Sequence, residues 1–214
     1  MNAWLDAILV LLVLTNLWLL GSSRLQACIQ AVAFQGVLLG LIALFSKWPD
    51  ITLRLSVVAI ASTFIKAIVL PIFLRRAVRE ANIRNEVDPL VGFTTSLLLG
   101  IGLWGFAMYI ADRLPLVLPN VSPLLLPVAI FGVMCGLLLI VSRNTAVMQV
   151  IGYLALENGI YAFGWAFAIE DPLLVEMGVL LDVFVAVFVM GITIYHLNRE
   201  FDSIETDELA SLKD

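Results

Sequence analysis

Pro123–Val141, PLLLPVAIFGVMCGLLLIV, is followed after the break Ser142-Arg143-Asn144 by Ala146–Ile169, AVMQVIGYLALENGIYAFGWAFAI. The first run carries no charge and the second carries one, Glu157. A hydrocarbon core about 30 Å thick is crossed by about 20 helical residues rising about 1.5 Å each. Both runs are long enough to span, and so short a break makes them antiparallel neighbours. Working outward, the same criterion gives Trp4–Leu20, Gln26–Phe45, Ile51–Leu74, Leu90–Ile110 and Leu173–Tyr195. The links Gly21-Ser22-Ser23, Lys47-Trp48-Pro49-Asp50 and Glu170-Asp171-Pro172 have the chemistry of turns. Arg75–Pro89 reads as a longer loop with four arginines.

Composition agrees. The chain has 214 residues, 62% hydrophobic and 14% charged, with a mean hydropathy of +1.04. A soluble domain is about 25% charged, so this is an all-α polytopic membrane protein with about seven transmembrane helices. A net charge of −5 leaves no basic surface for nucleic acid. The two cysteines, Cys28 and Cys135, both sit in apolar runs, which excludes a disulfide framework or a CxxC metal or cluster site. Met1–Asp6 has no Lys or Arg, so the first run reads as a retained span rather than a cleaved signal.

Lysine and arginine counted by side set the orientation. Arg24, Arg75, Arg76, Arg79, Arg84, Arg143, Arg199 and Lys213 fall on one side, against Lys47, Arg54 and Arg113 on the other. This predicts an outside N-terminus and a cytoplasmic C-terminus. Ser23-Arg24 and Ser142-Arg143 each precede a helix, a Pro-containing turn and another helix. The pattern predicts two parallel three-helix repeats, 1-80 and 123-199, joined by a linking helix within 81-122. Residues 200-214 form an acidic cytoplasmic tail, equally compatible with a short amphipathic helix that docks a basic partner and with a solvated segment.

Charges deep in a bilayer are costly, about 2.5–3.5 kcal/mol on insertion scales, and mark functional sites. Glu157 lies about 17 Å along its run and Asp182 about 14 Å along the next, so antiparallel packing brings both carboxylates near the midplane. Burial and mutual repulsion each disfavour their charged forms, which suits a proton relay; a neutral acid gluing helices together is the plainer alternative. Glu176 lies nearer the outer surface, on a proton entry or exit path or simply solvated. Lys66 either snorkels its ammonium to the headgroups or switches charge with a partner carboxylate, with Pro71 freeing a carbonyl nearby. Gln30 and Gln35 line the same interior or bond helix to helix. Tyr161 and Trp165 share the Glu157 face, and His196 is interfacial.

Ser142-Arg143-Asn144 with Gln149-Val150-Ile151-Gly152-Tyr153-Leu154-Ala155-Leu156-Glu157-Asn158-Gly159 resembles the component E subunit of hydrogenase-4 and formate hydrogenlyase complexes. The resemblance continues through Val175-Glu176-Met177-Gly178, Leu181–Val187 and Leu209-Ala210-Ser211-Leu212-Lys213. Over its last three helices that family is similar to the K subunit of respiratory complex I and the C subunit of Mrp antiporters. The resemblance implies a cofactor-free, metal-free, non-catalytic inner-membrane subunit of a nickel–iron hydrogenase complex. Its partners would be other membrane subunits, including large antiporter-like ones. In the complex I relatives two intramembrane glutamates belong to a hydrophilic proton axis; Glu157 takes the first position and Asp182 the second, shorter by one methylene. The first repeat has Leu38 where the second has Glu157, leaving Lys66 as its relay candidate. A cation/proton antiporter assembly and a purely structural membrane-arm subunit are the alternatives.

Overall fold

The computed structural model describes residues 3–45, 53–80, 89–114, 122–167, 184 and 191. Apart from 184 and 191, the expected span Leu173–Tyr195, with Glu176 and Asp182, lies outside the described residues. His196 and the tail 200-214 lie outside them too.

Every element among the described residues is helical: α1 (Ala3–Gly21), α2 (Leu25–Phe45), α3 (Leu53–Phe64), a π segment (Ile65–Val69), α4 (Leu70–Glu80), α5 (Phe93–Arg113), α6 (Leu125–Ser142) and α7 (Ala146–Phe167). Four of them, α1, α2, α5 and α6, are long and apolar enough to cross a membrane. The third expected span is one continuous rod interrupted by a change of register. The Leu70 N–H donates to Ile65 O, five residues back rather than four. Pro71 follows with no N–H to give, so the backbone around Lys66 lacks a regular α-helical ladder.

That rod also corrects one expectation. Arg75, Arg76 and Arg79 are not in a loop, because α4 carries the helix on to Glu80. Leucine, alanine, arginine and glutamate are good helix formers, and the stretch is amphipathic. Leu74, Ala77 and Val78 are buried while the three arginines are exposed.

The core is built from α1, α2, α6 and α7, with α6 against α7, α1 against α6 and α2 against α7. Leu9, Leu19, Phe131, Leu139 and Ile151 are fully buried among them. α5 packs on α1 and α6 through Ser96, Gly100 and Ala107 and exposes Leu98 and Ile101. In lipid, apolar burial does not drive helices together; close backbone approach through small residues does. A methyl group on Gly136 would fall 2.5 Å from Leu156 Cα, and one on Gly159 would fall 2.7 Å from the Gly132 carbonyl carbon. α6 and α7 therefore touch backbone to backbone.

Side chains tie both ends of the bundle. At one end Ser122 Oγ donates to Asp6 Oδ1 at 2.5 Å. At the other, Arg143 is wholly buried rather than exposed in its turn. Its Nη2 donates to Leu20 O at 2.6 Å, its Nη1 to Val91 O at 3.2 Å, and its guanidinium lies 5.0 Å from the Phe93 ring centroid. Leu20 closes α1, where unpaired carbonyls carry partial negative charge, so a cation is the favoured cap. Burial pulls the guanidinium below its ordinary value, yet arginine keeps its charge in proteins.

Arg143→Met is expected to leave both carbonyls without their donor, at about 1–3 kcal/mol for each buried unsatisfied group. The thermal midpoint of the detergent-solubilised chain should fall accordingly. Arg143→Lys should recover only part of the loss, since an ammonium lacks the guanidinium fork.

Candidate functional site

The π segment and α7 meet through two charges. Lys66 Nζ lies 2.6 Å from Glu157 Oε1, with the side chains only 6% and 3% exposed. Glu157 stands eleven residues into α7, about 17 Å from its start. Lys66 thus does not snorkel; of the two readings of the sequence, the structure has it facing a carboxylate. Gly36 on α2 makes room for this, because a methyl group there would stand 2.8 Å from Lys66 Cβ. Tyr161, one turn beyond Glu157, presents its ring 5.4 Å from Nζ, within cation–π range.

Desolvating two charges costs more than an exposed pair returns, so a buried pair is weak evidence of added stability. Breaking it by removing one partner costs about 3–5 kcal/mol, because the other charge is left buried alone. Here the pair is also incomplete. Glu157 Oε2 is buried and has no hydrogen-bond partner among the described residues.

A line of side-chain amides continues from the lysine. Lys66 Nζ donates to Asn158 Oδ1 at 3.5 Å, and Asn158 Nδ2 donates to Gln35 Oε1 at 3.3 Å. Gln35 Nε2 then donates to Thr15 Oγ1 and Asn16 Oδ1, both at 3.1 Å. Thr15 Oγ1 and Asn16 Nδ2 both donate to Leu12 O at 3.0 Å. Asn16, Gln35 and Asn158 are all buried. The line joins the π segment, α7, α2 and α1, and at every step the donor is on the lysine side.

That direction has a cause. An ammonium only donates, so Asn158 must turn its oxygen toward Lys66 and its nitrogen away. Each amide after it is oriented in turn.

Of the expected site residues, the structure brings Lys66 and Glu157 together, while Asp182 and Glu176 lie outside the described residues. Gln35 joins the network, but Gln30 is exposed on the other face of α2. Tyr161 stands beside the pair; the Trp165 side chain lies outside what is described. Sequence reasoning missed Thr15, Asn16 and Asn158 as members of the site. Asn16 had a signal, as an amide inside an otherwise apolar run, and so did Asn158, next to the intramembrane acid. Among the described residues no group of three His, Cys, Asp or Glu side chains comes together to hold a metal ion.

The chain is similar to an uncharacterized protein of Mycobacterium tuberculosis, 36% identical over 204 residues that cover 95% of this chain and 93% of that one. It is also similar to hydrogenase-4 component E of Escherichia coli K12, 30% identical over 156 residues that cover 72% of this chain and 71% of that one. The Shigella flexneri hydrogenase-4 component E matches to the same extent. No protein-family model and no solved structure matches the chain.

Proposed function

This chain belongs to the hydrogenase-4 component E family, and from that premise we propose that it is a membrane subunit of a hydrogenase-type complex that helps carry protons across the bilayer. One observation supports this reading above the others: a lysine–glutamate pair buried at mid-helix, with one carboxylate oxygen unpartnered among the described residues.

Glu157 is the exchanging acid and Lys66 its counter-charge. While Glu157 is ionised, the ammonium is held at 2.6 Å. A proton arriving at Oε2 neutralises the carboxylate and releases the Coulombic hold on Lys66. Loss of the proton restores it. Asp182 is the next acid along the path and Glu176 lies toward its outer end. A charge change in a neighbouring subunit shifts the balance between the two states, and water carries the proton between acids. Electron transfer and hydrogen chemistry belong to partner subunits, with no cofactor in this chain. The full architecture in this reading is seven spans in two parallel three-helix repeats, N-terminus outside and C-terminus in the cytoplasm of a prokaryotic inner membrane.

The test is Glu157→Gln in the native complex. Glutamine keeps the volume and still offers Lys66 an oxygen, but it takes up no proton. Hydrogenase turnover and assembly are expected to persist while proton translocation falls at least tenfold, a barrier change of about 1.4 kcal/mol or more. Full translocation with normal turnover rejects the relay. A buried ion pair also suits a subunit that only holds larger pumping subunits in register. That reading requires translocation to survive neutralising Glu157 and Asp182 together, and assembly to fail when the chain is deleted. A cation/proton antiporter assembly would be recognised by co-purifying antiporter subunits without hydrogenase subunits.

A further inference from the structure

We propose that Gln35 is a positioning residue for the Lys66–Glu157 pair: through Asn158 it keeps Lys66 in its ammonium form and aimed at Glu157. The proposal rests on the proton-relay reading of that pair but is tested separately from it.

The argument starts from donor and acceptor counts. Asn158 can point its oxygen at Lys66 only if its nitrogen finds an acceptor elsewhere, and the acceptor present is Gln35 Oε1. Gln35 is held in that sense by its own nitrogen, which is shared between Thr15 Oγ1 and Asn16 Oδ1. Those two groups are anchored one step further, on the Leu12 carbonyl. Every amide dipole is therefore aligned with its oxygen toward the cation. Aligned dipoles in a low-dielectric interior strengthen one another, so Gln35 favours the charged lysine from two bonds away.

Side-chain amides differ from carboxyls in one decisive respect: they do not readily take up and release protons near neutral pH. The line of amides is thus a support and not a conduit, which leaves Glu157 Oε2 as the side on which protons come and go.

No other charge among the described residues takes this role. From α7 the groups facing Lys66 are Glu157 and Tyr161. α2, packed on the π segment, carries no charge and only Cys28 as a further titratable group, two turns from Gln35. α3 has Arg54, twelve residues before Lys66, and the exposed α4 arginines begin nine residues after it.

The experiment has two arms. In the full chain in nanodiscs, ζ-15N-lysine NMR follows the ammonium resonance of Lys66, identified among the three lysines by its loss in Lys66→Met. In Gln35→Met, of similar volume but without an acceptor, the resonance is expected to disappear about one pH unit lower than in the parent chain. In Gln35→Glu it is expected at the parent pH or higher, because a carboxyl still accepts from Asn158 whether protonated or not. In the native complex, the alkaline limb of proton translocation should move in the same two ways.

Several results overturn the proposal. One is an unmoved resonance in Gln35→Met, and another is Gln35→Glu falling in step with it. A parent chain whose Lys66 is already neutral at pH 7 also overturns it. Where Gln35→Met fails to insert, Gln35→Glu decides: a resonance lost at lower pH than in the parent chain overturns the proposal. Failure of the relay reading looks different: the resonance shifts as expected, while Glu157→Gln pumps normally.

Discussion

If the proposed relay holds, Lys66→Met abolishes proton translocation while leaving hydrogenase turnover in place, and it lowers the stability of the chain by less than its geometry first suggests. Removing one partner of a buried pair costs about 3–5 kcal/mol when the survivor stays charged. Glu157 has an escape, because a carboxyl in an apolar site takes up a proton rather than remain an isolated anion. In the proposed relay, an acid held in its neutral state no longer exchanges protons.

Lys66→Met/Glu157→Gln separates the two effects. Two neutral side chains of similar size fill the same space with no uncompensated charge, and such replacements are often neutral or stabilising. The double variant should therefore unfold at a higher temperature than Lys66→Met alone, with the two losses strongly non-additive. A thermal midpoint equal to the sum of the single losses would mean that the charges at 2.6 Å are not energetically coupled.

The second large effect belongs to Gly136. Its neighbours are the Leu156 amide nitrogen, Cα and Cβ, so a methyl group meets mainly backbone, which cannot move aside as a long side chain does. Gly136→Val must force α6 and α7 apart, at the upper end of the roughly 1–3 kcal/mol typical of overpacking or beyond. Because Leu156 precedes Glu157, the same displacement moves the acid away from Lys66. Membrane accumulation of the chain should fall severalfold, and whatever assembles should lack the close Lys66–Glu157 contact. Gly21→Ala is the matched control, since nothing lies within 4 Å of the added carbon. Equal losses in the two variants would show that glycine itself matters at these positions, and not the close approach.

The sequence held the apolar spans and the odd charges within them, and it lost what depends on rotation about a helix axis. Run lengths placed α1, α2, α5, α6 and α7 to within a few residues, because bilayer thickness imposes length directly. Glu157 and Lys66 stood out because a charge in hydrocarbon must be compensated. What compensated them did not follow from depth alone. Antiparallel depth-matching set Glu157 level with Asp182, which lies outside the described residues; the partner seen beside Glu157 is a lysine 91 residues away.

Arg143 illustrates the same limit. Counted as a loop charge, it turned out to cap α1 from within the bundle, since nothing local distinguishes a turn arginine in water from one whose neighbours are carbonyls. The extension through Arg75 and Arg79 was missed because charge was read as loop, although arginine propagates a helix well. The π turn was hidden too, with Pro71 as its one sequence trace.

The separations along the network also set an order for biogenesis. Gln35 meets Thr15 and Asn16 across only 20 and 19 residues, so that clasp closes within the hairpin of α1 and α2. Lys66 enters next, carrying a charge whose counter-ion has not yet been made. Synthesis runs at about 5–20 residues per second, and Glu157 follows 91 residues later. For several seconds the ammonium is in place before Glu157 has been made. The ion pair can therefore close only once α7 has been made, long after the clasp between α1 and α2.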